Sequence, residues 1–311
     1  AVEVDLQPLD EAHALALVRG LLGTQELPLV LRTMVTRTEG NPFYIEEVLL
    51  SLIESGAIRR GADGCTIAED LGGVQLPGTI QEVIMTRVDR LDPSTRQVLQ
   101  IASVVGRSFF FSIMREVLQR HAQLDAECER ELAELRDRDI LLERETGFSV
   151  AAGEGTLVRE LEYVFRHALA QETIYESLLL KVRREHHQLI AETIEASFGD
   201  RLKDFYGMLS YHFGRAENLP KAEDYLFRAG EEASRSAASI EALAFFEKAS
   251  ALYFRIHGTG GDPARKALLE KNIGLALLSR GRLTESIPHF DRALAHLGVR
   301  VPQGTAGLYS R

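Results

Sequence analysis

The chain has 311 residues, of which 45% are apolar and 26% are charged, and its length predicts two or three globular domains. No apolar run approaches the roughly 20 residues that a transmembrane helix needs, so a membrane protein is excluded. The formal net charge of −10 opposes attraction to nucleic-acid phosphates and to anionic lipid, so DNA is not an expected partner.

The first 76 residues predict a strand followed by a small helical bundle. Residues 2–6 alternate apolar and polar side chains, as a half-buried strand does. A strand without partners is unstable and the chain lacks a start methionine, so residues 1–9 are predicted to be the last strand of a truncated domain. Helical spacing of apolar residues predicts three helices, over 10–22, 29–38 and 42–54. A glycine-rich loop or hairpin over 57–76 completes a predicted helical subdomain at 10–76.

Residues 77–167 predict a winged-helix domain with a small β-wing. After a helical pattern through residue 91, the apolar spacing predicts three more helices, over 93–105, 111–119 and 125–137. Alternating residues near 140–142 and 161–165, separated by glycines, predict a two-stranded ribbon. The third helix carries seven acidic and three basic residues over 125–139, which would repel phosphates. This domain is therefore predicted to bind protein rather than DNA.

Residues 168–311 predict a degenerate α-solenoid of tetratricopeptide type. Three segments share a small residue, a bulky apolar residue four positions later, a base and an alanine; they are 222–229, 242–249 and 286–293. Their spacings are 20 and 44 residues, whereas the repeat has a period of about 34. Such arrays commonly bind a protein or peptide partner. Val299, Val301, Leu308 and Tyr309 follow the last helix without a polar cap, which predicts further repeats downstream.

A search for catalytic and metal-binding motifs finds none. The Gly-Lys pair of a phosphate-binding P-loop does not occur, and the glycines at 258–261 are typical of a connection before a helix capped by Asp262. His186 and His187 would lie about 100° apart on a helix and could not face one metal. Cys65 and Cys128 are too few for a disulfide framework, which indicates a reduced, cytoplasmic protein. This segment alone is not expected to bind or hydrolyse ATP.

One set of motifs resembles a known family. Gly40-Asn41-Pro42-Phe43 is locally a helix stop, an N-cap and a proline at the first helical position. This motif lies within the run Thr38 to Glu47, and Leu6 to Leu9 precede that run. Together these residues resemble the lid of STAND-type AAA+ ATPases. Members of that family are multidomain signalling ATPases fused to adenylate/guanylate cyclase, protein kinase or LuxR-type modules. Residues 76–91, 98–109, 163–175 and 183–191 are similar to later motifs of that family; His186 departs from the usual leucine.

The resemblance implies that this chain follows the nucleotide-binding core of a longer ATPase, which could also carry a nucleotide cyclase. Gly40, Asn41, Pro42 and Phe43 would then close over the base of ATP or ADP, and Arg37 is a candidate on the phosphate side. The P-loop and the Mg²⁺-binding acid would lie upstream, so that nucleotide-binding domain of the same chain is an implied partner. His167, Tyr175 and His187 would serve packing. The alternative is a free-standing tetratricopeptide adaptor or a transcription regulator without a nucleotide role.

Overall fold

The fold is mainly α, as predicted, and a computed structural model describes residues 7–24, 26–61, 64–67, 78–121, 127–151 and 157–299. The helices are α1 (Glu11–Leu22), α2 (Leu29–Thr36), α3 (Pro42–Glu54), α4 (Ile80–Asp89), α5 (Pro93–Val105), α6 (Phe111–Arg120), α7 (Cys128–Asp137), α8 (Ala168–Ser177), α9 (Leu180–Ser197), α10 (Tyr206–Arg215), α11 (Leu219–Arg235), α12 (Ser239–His257), α13 (Pro263–Ser279) and α14 (Leu283–His296). The strand predicted over residues 2–6 and the residues after 299 lie outside the described residues.

The strands form two small sheets. They are β1 (Ile58–Gly61), β2 (Gly64–Ile67), β3 (Ser108–Phe110), β4 (Leu141–Ala151) and β5 (Leu157–Phe165). Strands β1 and β2 pair antiparallel, which confirms a hairpin at the start of the stretch predicted as a loop or hairpin, whereas residues 68–76 lie outside the described residues. The other sheet has the order β3-β5-β4. Sequence patterns predict the β4–β5 ribbon but miss β3, because a three-residue strand has no measurable periodicity.

Local capping signals fix where several helices begin. Asp10, Asn41, Asp92 and Asp262 each accept hydrogen bonds from backbone N–H groups of the following first turn. Such a side-chain oxygen satisfies donors that the helix itself leaves unpaired. Three of these caps precede a proline at the first turn, where the missing N–H costs nothing. The N-caps predicted at Asn41 and Asp262 are therefore confirmed.

The chain divides into two compact units, which are described separately. The first contains the described parts of residues 1–108, 127–144 and 163–177. Its helices α1, α2 and α3 share one hydrophobic core with the β1–β2 hairpin. The members of this core with at most 1% exposure are Val18, Leu31, Ile45, Leu52, Ile58 and Val83. Helix α5 is buried in the same unit and packs against α7 and α8.

The second unit contains the antiparallel helices α10 to α14. Three-residue connections at 216–218, 236–238 and 280–282 share one geometry, with Glu217, Ala237 and Gly281 at φ values of +63°, +58° and +72°. In each, the residue after the left-handed position donates its N–H to the carbonyl five residues earlier, over 2.8–3.0 Å. Each similar segment found in the sequence begins five residues after one of these left-handed positions.

The irregular repeat spacing follows from the way these helices are shared. A Cβ at Gly230 would lie 2.6 Å from the Phe246 ring, and one at Gly274 would lie 2.8 Å from the Phe290 ring. The two contacts are 44 residues apart, so α11–α12 and α13–α14 are equivalent helix pairs. Helix α11 also pairs with α10, so the pairs α10–α11 and α11–α12 share one helix. The similar segments 222–229 and 242–249 therefore lie on the consecutive helices α11 and α12, which gives the spacing of 20 residues.

Candidate functional site

The turn between α2 and α3, residues Gly40–Phe43, is fixed by a close backbone contact. Gly40 has φ +72°, a conformation that favours glycine. Its carbonyl accepts a hydrogen bond of 2.9 Å from the N–H of Leu9. A Cβ at Gly40 would lie only 2.0 Å from the carbonyl oxygen of Leu9, so no larger residue fits.

The other residues of the turn combine rigidity with exposure. The Asn41 side chain accepts hydrogen bonds from the N–H groups of Phe43 and Tyr44, at 3.0 and 3.3 Å. Asn41 and Pro42 are exposed, while Phe43 is half-buried. The Phe43 ring lies 3.9 Å from the ring of His167, measured between centroids. The turn therefore presents an amide and a proline ring on a fixed backbone.

Arg37 ends α2 three residues before this turn and is exposed. Burial and the charge of Glu82 raise the pKa of Tyr44 above its usual value, and the charge of Arg37 acts in the opposite direction. Arg37 is therefore close enough to α3 to influence a group in its first turn. The structure thus brings Gly40, Asn41, Pro42 and Phe43 into one turn, with Arg37 nearby.

Replacing Gly40 with alanine is expected to destabilise the protein by about 1–3 kcal/mol, because the new methyl group displaces Leu9 and the backbone is strained. Gly56→Ala is the matched control, since Gly56 has φ +75° but no atom within 4 Å of its Cβ position. Chemical denaturation of both variants measures the difference. A loss no larger than that of Gly56→Ala would show that the Leu9 contact is unimportant.

A buried ion network lies further along α3. The guanidinium of Arg87, on α4, donates to Glu47 at 2.7 Å and to Glu54 at 2.8 and 3.0 Å. It also donates to the carbonyl of Arg138 at 2.5 Å. Arg87 and Glu47 are each 3% exposed. Burial raises the pKa of Glu47, and the charge and hydrogen bond of Arg87 oppose that rise.

The residues that end β5 complete this network in the same unit. Arg166 donates to Glu46, on α3, and to Asp139, each at 2.8 Å. His167 Nε2 lies 3.5 Å from a Glu46 oxygen and 4.0 Å from a Glu47 oxygen. Burial lowers the pKa of His167, while Glu46 acts against that shift. Helix α3 is therefore held on two sides by charged groups.

A small cavity of about 10 Å³ lies beside Glu47, Arg87, Arg166 and His167. This volume holds about one water molecule. His167 Nε2 is buried and has no hydrogen-bond partner among the described residues. The cavity therefore has room for a water molecule but not for a larger ligand, whereas the turn Gly40–Phe43 exposes Asn41 and Pro42.

Comparisons with known proteins give distant matches. No protein-family profile matches the chain. An uncharacterized protein of Rhizobium meliloti (strain 1021) is 26% identical over 280 residues, which cover 88% of this chain and 25% of that protein. The chain thus spans about a quarter of the length of this curated relative.

Among solved structures, a signal transduction ATPase with numerous domains from Pyrococcus horikoshii, which has a tetratricopeptide repeat sensor, is 14% identical. The match covers 95% of this chain and 54% of that one, with a TM-score of 0.33.

Sequence patterns find the turn but miss the network that holds it. Asn41 and Pro42 carry a local capping signal, which any single sequence reveals. Glu47 and Arg87 belong to residue types that are almost never fully buried unless paired, and their partners lie 33 to 51 positions away. Arg87 and Arg166 lie inside motifs that resemble those of the STAND family. That resemblance is the one sequence signal that could have drawn attention to the network.

The second unit contains a groove of about 800 Å³ with mixed polarity. Helix α11 contributes Glu231 and Arg235, and α13 contributes Asn272, Leu275 and Ser279. The groove is large enough to bind a peptide segment. Its lining includes an acidic residue, Glu231, a basic residue, Arg235, and the side-chain amide of Asn272. In the described residues no three His, Cys, Asp or Glu side chains are placed to hold a metal ion, and no helix is long and apolar enough to cross a membrane.

Proposed function

We propose that the chain is the regulatory and interaction segment of a multidomain, cytoplasmic signalling ATPase of the STAND type. The turn Gly40–Phe43 acts as a lid over the base of ATP or ADP, which an upstream domain holds together with Mg²⁺. The helical repeats bind a protein or peptide partner. The observation that carries the proposal is that this turn is fixed by Leu9 and His167 yet exposes Asn41 and Pro42.

The exposed residues Pro42 and Arg37 suit different parts of a nucleotide. The ring of Pro42 offers a flat apolar surface for a base, and its fixed φ adds no flexibility. The amide of Asn41 already caps α3, so its role is to hold the turn. The guanidinium of Arg37 has the donor geometry that phosphate requires.

The ion network supports a regulatory role for the lid helix. Glu46 and Glu47 lie one turn after Pro42 on α3 and pair with Arg166 and Arg87. A displacement of α3 on nucleotide release would have to separate these charges, and separating the buried pair Glu47–Arg87 is costly. The network therefore favours discrete lid positions over gradual motion.

Pro42→Ala in the longer protein is expected to weaken retention of ADP several-fold and to leave the fold in place, because the change removes the apolar surface and loosens the turn. Pro93→Ala is the matched control, since Asp92-Pro93 caps α5 in the same way as Asn41-Pro42 caps α3. Equilibrium binding of a fluorescent ADP analogue measures both. Equal affinity in Pro42→Ala and the parent would reject the lid.

The second candidate is a tetratricopeptide adaptor or a transcription regulator without a nucleotide role. The mixed groove on α11 and α13 favours partner binding under both candidates. The two candidates differ in what they require before Ala1. The signalling ATPase requires a strand followed by G-x-x-x-x-G-K-[ST] there, and the adaptor does not. If the longer protein binds nucleotide and loses that binding when this motif is mutated, the result would support the ATPase and exclude the adaptor.

A further inference from the structure

Two histidines of the second unit lie next to each other on packed helices. His121 follows the last residue of α6 as its C-cap, and His186 lies on α9. Helices α6 and α9 pack together, and the centroids of the two imidazole rings are 5.8 Å apart with the ring planes inclined by 45°. The two residues are 65 positions apart in the chain, so no metal-binding motif of short spacing reveals them.

The separation of the rings suits a shared metal ion. A zinc ion lies about 2.1 Å from an imidazole nitrogen, which places it about 3 Å from the centroid of the ring. Two rings that bind one ion therefore have centroids about 5–6 Å apart, depending on the angle at the metal. The observed separation lies in this range, so α6 and α9 are already close enough to hold an ion between the two rings.

The environment of the pair favours a cation. His121 Nδ1 is buried and has no hydrogen-bond partner among the described residues, which is costly for a polar atom. Burial and the charge of His121 lower the pKa of His186, so its ring is neutral at pH 7 and offers a lone pair. The charge of Glu185 acts on that pKa in the opposite direction, which places a carboxylate close enough to attract a cation.

We propose that His121 and His186 together bind one divalent transition-metal ion, with Zn²⁺ as the representative case, and that the ion links the end of α6 to α9. Imidazole nitrogen suits Zn²⁺, Cu²⁺ and Ni²⁺, whereas Mg²⁺ and Ca²⁺ prefer oxygen ligands. In the described part of the chain no third His, Cys, Asp or Glu completes such a site. Water therefore fills the other coordination positions, and the inference is independent of the nucleotide role.

Isothermal titration calorimetry of the chain with Zn²⁺ tests the proposal. His121→Gln removes one ligand, and His186→Leu removes the other while introducing the leucine that is usual at this position in the family that the chain resembles. We expect each change to weaken Zn²⁺ binding by about tenfold or more. We expect Mg²⁺ to bind the parent at least about tenfold more weakly than Zn²⁺.

His257→Gln is the matched control, because His257 is an exposed histidine on α12 of the same unit. We expect this variant to bind Zn²⁺ within about twofold of the parent. Absence of Zn²⁺ binding, parent affinity in either His121→Gln or His186→Leu, or equal affinity for Mg²⁺ and Zn²⁺ would overturn the proposal.

A second measurement uses the unchanged chain, so misfolding of a variant cannot affect it. Diethyl pyrocarbonate modifies imidazole nitrogens, and mass spectrometry of the digested protein gives the modification rate at each histidine. We expect Zn²⁺ to slow modification of His121 and His186 several-fold and to leave the rate at His257 unchanged, because a metal-bound nitrogen has no free lone pair. Equal protection of all three histidines, or protection of none, would overturn the proposal.

Discussion

Arg87→Met is expected to lower the free energy of unfolding by about 3–5 kcal/mol, which is the largest effect of any single change considered. Methionine fills a similar volume but leaves the carboxylates of Glu47 and Glu54 in a buried site without their cation. It also removes the donor to the carbonyl of Arg138. Urea denaturation, followed by far-UV circular dichroism, measures the loss.

Two further variants separate charge from packing. Arg136→Met is the control, because Arg136 is 44% exposed in ion pairs with Asp137 and Glu143, and no measurable loss is expected there. Adding Glu47→Gln to Arg87→Met is expected to recover part of the stability, since one stranded charge is removed. If Arg87→Met were as stable as Arg136→Met, the network would not hold α3.

The second large effect concerns acid, and it arises from a buried pair of histidines in the second unit. His187 Nδ1 and His212 Nδ1 are 2.8 Å apart, so the proton of one ring is donated to the other. The two residues are 1% and 0% exposed. Burial lowers the pKa of His187 to about 4, assisted by the charge of Arg215, and burial lowers the pKa of His212 to about 3.

Unfolding restores the ordinary pKa of about 6.5 to both rings, so the unfolded chain binds more protons than the folded chain below that pH. Stability therefore falls as the pH falls below about 6.5, and it continues to fall toward the folded pKa values. Between about pH 7.5 and pH 5 the expected loss is on the order of 2–4 kcal/mol. Urea midpoints across this range measure it.

His212→Gln is expected to flatten this pH dependence, because glutamine can still hydrogen-bond to His187 but does not titrate. A residual slope is expected, since His187 still titrates and burial also lowers the pKa of His186 and of His167. The control is His13→Gln, at an exposed residue of the first unit. An unchanged slope in His212→Gln would show that the buried pair does not cause the acid sensitivity.

Sequence reasoning succeeds where the cause of a structure is local. The start of α3 follows from Asn41 and Pro42, because a cap and a proline act within one helical turn. The reason for glycine at position 40 is not local, since the obstacle is the carbonyl of Leu9, 31 positions earlier. The turn Gly40–Phe43 is therefore recognisable from sequence, and the contact that fixes it is not.

The same limit applies to the boundary between α11 and α12, which no local sequence signal marks. The turn at 280–282 contains Gly281, which marks it, whereas Ala237 adopts the same left-handed conformation without any sequence signal. The ring of Phe246 on α12 packs so closely against Gly230 on α11 that a Cβ there would lie 2.6 Å from it. Tertiary contacts thus decide a boundary that propensity alone would place inside a single long helix.

The shared helix α11 also sets how the array can change in evolution. Each of the turns at 216–218 and 236–238 has one fixed geometry. A residue inserted in either turn would change the angle at which α11 meets α10 or α12, and the packing between those helices would be lost. The connection at 258–262 is longer and joins the two equivalent pairs, so it lies between pairs and not inside one. Length variation, and the duplication or loss of whole pairs, is therefore expected at 258–262, which makes the pair rather than the single helix the unit of growth.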